Sequence, residues 1–164
     1  VRRAALVVLV LLAAGVGAFS LERRLSAVEQ PIAYNHQKHI AAGLECQACH
    51  EGIAEGRVHA QLPRTEVCVS CHGTEDNPRT QAIRDFAAAK REIPWQRVYV
   101  APKHVYFSHQ RHVGVAKLDC AVCHGNMAEK STPVSRQAVP IRMDRCIACH
   151  KSQGVTTDCL ACHR

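Results

Sequence analysis

The distribution of apolar and polar positions divides the chain into unlike parts. After Arg2 and Arg3, an uncharged and largely apolar run fills residues 4–21, and Glu22, Arg23 and Arg24 close it. At about 1.5 Å per residue, a helix over that run is roughly 27 Å long, enough to cross a bilayer core. Two readings compete. One is a signal peptide cut after Ala18, with Val16 and Ala18 as the small residues. The other is an uncleaved anchor with Arg2 and Arg3 inside. The length of the run, and Gly15 and Gly17 as packing positions for a partner helix, favour the anchor.

Helical periodicity returns in "NPRTQAIRDFAAAKREIPWQRVYVAPKH", where Ile83, Phe86, Ala87 and Lys90 line one face. Asn77 is placed to cap this helix, Pro78 to occupy its first position and Pro94 to end it. The alternation in "WQRVYV" predicts a short strand. Two shorter helices are predicted over "YNHQKHI" and "FSHQRHV", capped by Asn35 and Ser108, with Gly43 ending the first.

Composition changes the picture. Tryptophan occurs once in 164 residues and aromatics make up 4%, too little for an ordinary core. Cysteine occurs ten times and histidine eleven times. Every cysteine falls in one of five copies of Cys-x-x-Cys-His: CQACH at 46–50, CVSCH at 68–72, CAVCH at 120–124, CIACH at 146–150 and CLACH at 159–163. A disulfide scaffold does not space all its cysteines by two residues. A zinc ribbon does not require a histidine directly after each pair. Cys-x-x-Cys-His is the attachment signature of c-type haem: the two thiols form thioethers to the porphyrin, and the histidine supplies the proximal nitrogen to iron.

The cofactor-binding residues are therefore Cys46, Cys49, Cys68, Cys71, Cys120, Cys123, Cys146, Cys149, Cys159 and Cys162. The proximal iron ligands are His50, His72, His124, His150 and His163. Five haems would supply the apolar core that the polypeptide lacks. The predicted fold class is thus mostly irregular and α, a small multihaem cytochrome c wrapped around five covalent haems behind an N-terminal transmembrane helix. Haem also alters the charge. The polypeptide carries +7, but ionised propionates bring the holoprotein to roughly +2 when oxidised and about −3 when reduced. A basic pI is then no sign of nucleic acid binding.

The chain contains a repeat. His-x-x-His, a first CxxCH, a spacer and a second CxxCH occur in that order in residues 35–72 and again in 108–150, and a fifth CxxCH follows. His36 precedes Cys46 by ten residues, whereas His109 precedes Cys120 by eleven. The predicted organisation is an anchor (1–25), a dihaem unit (26–77), a linker helix with a short extended segment (78–101) and a trihaem unit (102–164).

Six further histidines are candidates for the sixth coordination position: His36, His39, His59, His104, His109 and His112. Five irons need five, so one is surplus. Two imidazoles in His-x-x-His lie on one helix face, too close to serve one iron from opposite sides, so each pair should reach two irons. His36 is assigned to the Cys46 haem and His109 to the Cys120 haem. His39 and His112 go to other haems, while His59 and His104 compete for what remains. Met143, three residues before Cys146, is an alternative ligand for the fourth haem, and Met127 a weaker one.

"YNHQKHI…CQACH" and "FSHQRHV…CAVCH" resemble the class III multihaem cytochromes c. That resemblance implies that the first histidine of each pair ligates the nearest downstream haem and the second a more distant one. The anchor, the five motifs and "PKHVYFSHQRHV" are similar to the pentahaem subunit of alternative complex III and related quinone-linked complexes. That likeness implies His104 as a ligand. It also implies polytopic quinone-interacting and iron–sulfur subunits, and other cytochromes, as partners. The expected function is conduction of electrons between a membrane quinol-oxidising or quinone-reducing complex and a periplasmic partner, with no catalytic residue. The expected location is the cytoplasmic membrane, single-pass, with the haem domain outside. The rival readings are a free-standing anchored quinol dehydrogenase, a multihaem enzyme with one open iron, and a soluble periplasmic shuttle.

Overall fold

The computed structural model describes residues 2–25, 27–55 and 60–163, and within the first helix the side chains of residues 6, 7 and 9–21. Its elements in chain order are helices α1 (Arg2–Leu25), α2 (His36–Ala41), α3 (Cys46–Cys49), α4 (Thr65–His72) and α5 (Gln81–Ala88), a π-helix (Gln110–Val115), and helices α6 (Ala121–His124), α7 (Met143–Ser152) and α8 (Cys159–Cys162). Three-residue 3₁₀ turns occupy Pro78–Thr80 and Met127–Glu129. Among the described residues the only β pairing is a bridge between Val105 and His163.

Helix α1 is continuous, and its large apolar side chains, Leu6 to Leu21, are 57 to 67% exposed. Among the described residues no helix is long and apolar enough to cross a membrane. The predicted span at 4–21 lies partly outside those residues, because Ala4, Ala5 and Val8 belong to it.

The polypeptide buries little of itself. Among the described residues its buried apolar core is Ile32, Ile83 and Ile93, with Cys68, Val69, Ala82, Phe86 and Trp95 packed around it. This nucleus joins α4 to α5, so the predicted linker helix folds onto the first unit. Buried Thr65 fastens the joint. Its backbone N–H donates to Glu92 Oε2 (2.7 Å), and its hydroxyl oxygen accepts from the Ile93 N–H (3.0 Å). The Trp95 indole donates to the Pro63 carbonyl at 3.0 Å.

The linker helix is shorter than its periodicity predicts. Asn77 does cap the segment, accepting from the Arg79 N–H at 3.0 Å, and Pro78 opens it as a 3₁₀ turn. The helix ends at Ala88, six residues before Pro94. Lys90 stands outside it at φ 51°, with Arg91 N–H bonded back to the Phe86 carbonyl and Lys90 N–H to that of Ala87. This is a Schellman ending with lysine where glycine is usual. The predicted strand at 95–100 is irregular backbone, because among the described residues no second strand lies beside it to pair with.

The two His-x-x-His segments differ by one residue, and the structure shows where it goes. In the first, Asn35 caps α2 by accepting from Lys38 N–H (2.9 Å), and Gly43 at φ 86° ends it with Leu44 N–H bonded to the His39 carbonyl, five residues back. In the second, Ser108 Oγ accepts from Arg111 N–H at 3.3 Å, but the turn widens into the π-helix. Leu118 N–H there reaches the His112 carbonyl, six residues back. The eleventh residue of the longer spacing is absorbed as a π-turn, as single insertions into helices commonly are.

Several bonds tie the two units together. Val28 N–H donates to the Ser135 carbonyl (2.9 Å), Gln37 N–H to that of Lys130 (3.0 Å) and the Gln30 side-chain amide to that of Val134, while the same amide also reaches the Gln96 carbonyl of the linker. A Cβ added at Gly114 would lie 2.8 Å from the Ala54 carbonyl oxygen, so the π-helix and the loop after the first CxxCH touch backbone to backbone.

Candidate functional site

The short helices α3, α6 and α8 each begin at or next to the first cysteine of a CxxCH, and the motifs at 68–72 and 146–150 end or fill α4 and α7. One helical turn thus sets both thiols and the histidine of each motif on adjacent positions. All ten cysteines are free thiols and lie at least partly open to the surface. Burial pushes the thiols of Cys49, Cys68, Cys120, Cys123 and Cys146 up, so they stay protonated at neutral pH before any attachment.

Hydrogen bonds fix the tautomer of five histidines. His39 donates through Nδ1 to the Asn35 carbonyl (2.8 Å), and its counterpart His112 donates to Ser108 (2.8 Å). His50 donates to the Gln61 carbonyl (3.2 Å) and His150 to Thr156 (2.7 Å). His72 donates to the Glu75 carboxylate at 2.5 Å. A carbonyl or carboxylate only accepts, so each ring carries its proton on Nδ1 and keeps the Nε2 lone pair for a metal. Burial, with His50 and His39 nearby, pulls His36 down to about 4, leaving it neutral. Burial also lowers His124, helped by His109 and His50.

Among the described residues no three His, Cys, Asp or Glu side chains gather into a metal-holding group. The histidines meet in pairs. Ring centres lie 6.0 Å apart for His39 and His72, 6.4 Å for His109 and His124, 6.1 Å for His112 and His150, and 5.4 Å for His104 and His163. The interplanar angles are 71°, 8°, 32° and 19° in that order. Each pair joins one CxxCH histidine to one of the spare histidines. His36 is electrostatically close to His50, which completes the set.

Local structure explains these meetings. The Val105–His163 bridge, with Tyr106 N–H donating to the Cys162 carbonyl at 2.7 Å, sets His104 against His163. In the first unit Tyr34 stacks on His39 (4.5 Å, 21°) and meets His36 edge-on (4.6 Å, 85°). Phe107 does the same to His112 (4.5 Å, 27°) and His109 (4.8 Å, 89°) in the second. Tyr99 packs on His124 at 4.4 Å, and its hydroxyl donates to the His124 carbonyl and accepts from Ala138 N–H.

Tyr34, Phe107 and Glu75 touch the paired histidines and were missed by motif reading. The aromatic residue two places before each His-x-x-His was a visible signal. Nothing in the motif pattern marked Glu75. His59 lies outside the described residues. Met143, at the start of α7, is 64% exposed.

A family model described as cytochrome c7 and related cytochrome c matches residues 32–89 and 105–164, one match on each half of the repeat. Among curated proteins none matches the chain. The two matches span well over half of the sequence, and the chain belongs to that family: it is a multihaem c-type cytochrome, an electron-transfer protein.

Proposed function

We propose that the chain is a pentahaem cytochrome in which every iron is held by two histidines: His50 with His36, His72 with His39, His124 with His109, His150 with His112, and His163 with His104. The spacing of the rings carries this reading. With metal–nitrogen bonds of about 2.0 Å and roughly 1.1 Å from each nitrogen to its ring centre, two imidazoles on opposite sides of one metal have centres about 6.2 Å apart. Three measured pairs lie within 0.2 Å of that value, at 6.0, 6.4 and 6.1 Å, and the fourth, at 5.4 Å, lies somewhat closer.

The residues fit haem in two further respects. The bonded Nδ1 atoms leave Nε2 free on both sides of the His39–His72 and His112–His150 pairs, and the polypeptide has surface that an apolar group would cover. Its accessible area is 12396 Å², whereas a chain of 18.0 kDa ordinarily folds to roughly 8,000 Å². Bound there, c-type haem supplies one-electron exchange between ferric and ferrous iron. Two imidazoles per iron leave no position for a substrate, which favours conduction over catalysis. On this reading His112 takes the place opposite His150 that Met143 would otherwise fill, and His59 is the surplus histidine.

We further propose that α1 anchors the protein in the cytoplasmic membrane and that the haem domain stands outside. The exposed apolar side chains along α1 support this, since an isolated apolar helix needs lipid or a partner helix to cover it. One helix offers little of a quinone site, so a polytopic quinone-interacting subunit and iron–sulfur subunits, as in alternative complex III, are the proposed source of electrons. Another cytochrome is the proposed acceptor.

Mass measurement of the purified holoprotein and electron paramagnetic resonance of its ferric form test the assignment. Five added haems and low-spin signals only, with no carbon monoxide binding after reduction, are expected. Fewer haems, or a dominant high-spin signal, would overturn it.

A further inference from the structure

Motifs one and two belong to the first unit, and motifs three, four and five to the second; the sequence order suggests a wire running from one to five. The contacts give a different order. Tyr34 lies between His36, which pairs with motif one, and His39, which faces motif two at His72. Its hydroxyl also reaches Cys49 of motif one, and Cys68 of motif two is close by. Motifs one and two are therefore neighbours. Phe107 stands in the same way between His109, which faces motif three, and His112, which faces motif four. Cys123 of motif three is close to Cys146 and Cys149 of motif four.

Between the units it is motif one that meets motif three. The Gly114 backbone rests on Ala54 just beyond motif one, the thiols of Cys46 and Cys120 are close to each other, and His124 lies near His50. Thioether formation would leave the sulfurs close to each other. Motif five joins at the far side: Cys162 is close to Cys146 of motif four, and the Val105–His163 bridge holds it there.

We propose that the attachment motifs stand in space in the order 68–72, 46–50, 120–124, 146–150, 159–163, so that the second and fifth motifs, not the first and fifth, are the terminal ports for electrons. The inference rests on the five-haem reading above and adds the sequence of sites to it. A central first site has two neighbours, a terminal second site one. Partners should therefore dock beside α4 at one end and beside α8 at the other, where Leu160 is 78% exposed.

Two measurements on the holoprotein test the order. The first exchanges one distal ligand at a time for methionine, H39M at the second site, H104M at the fifth and H109M at the third, and follows the haem-methyl resonances in paramagnetic NMR. H39M and H104M should each displace the signals of one other haem, and H109M those of two. If H39M displaces two or more, the order is wrong. Should a variant lose its haem, the iron–iron distances in an experimental structure of the unaltered holoprotein serve instead. The second iron should have the first as its nearest neighbour, and the shortest distance between units should join the first and third; any other nearest pairing overturns the proposal. A haem count below five would sink the functional reading itself, whereas five haems in another order would sink only this inference.

Discussion

His72 Nδ1 and Glu75 Oε1 lie 2.5 Å apart, so the hydrogen bond of this CxxCH histidine goes to a carboxylate. Its counterparts His50 and His150 donate to backbone carbonyls. Thr80, His72 and Arg84 all favour the ionised form of Glu75, holding its carboxyl below the usual range. A full negative charge on the far side of the ring makes the imidazole a stronger donor to iron and favours the ferric state.

Glu75→Gln keeps the shape and an accepting oxygen but removes the charge. One of the midpoint potentials in a spectroelectrochemical titration should rise by on the order of tens of millivolts, and Glu75→Asp should restore part of the shift. Unchanged midpoints would show that the carboxylate only positions the ring.

Gly114 has no room for a side chain. A methyl group there would meet the Ala54 carbonyl at 2.8 Å, and both partners are backbone, so neither yields easily. Gly114→Ala should destabilise the holoprotein by about 1–3 kcal/mol, the usual cost of overpacking. A lowered midpoint in guanidinium denaturation at fixed oxidation state is the check, and an unchanged midpoint would mean that the two units are not in contact there.

Lys90 sits at φ 51° in the position of a helix ending that glycine normally fills. The left-handed region costs an L-residue roughly 1–2 kcal/mol, part of which glycine returns as lost chain entropy. Lys90→Gly should therefore raise stability by about 0.5–1 kcal/mol in the same denaturation measurement, with the haem spectrum unchanged. A loss of stability would mean that the lysine side chain makes a contact worth more than the backbone strain.

What motif spacing could reveal was what lies close along the chain. A CxxCH places its sulfurs and its histidine within one turn, and a His-x-x-His places two rings on one face, so these were legible directly. The pairing of His104 with His163 was not, because it depends on a bridge between Val105 and a residue near the other end of the sequence. The end of α5 was misplaced because lysine, not glycine, occupies its left-handed terminus. Alternation at 95–100 suggested a strand, but alternation describes one edge only, and a strand exists through its neighbour. The motif pattern gave Tyr34 and Phe107 no role; their edge-on and stacked contacts with both rings of each pair became visible only in three dimensions.

In the order proposed above, motif one meets motif three across the two units, so the repeat is joined head to head. Four sites arranged in that manner read the same from either side, like a palindrome, and such an array has no built-in sense of direction. The His104–His163 pair, added at one side alone, breaks the mirror. Whatever polarity the molecule shows between donor and acceptor must then originate in that one unpaired addition and in whatever tunes the opposite terminus.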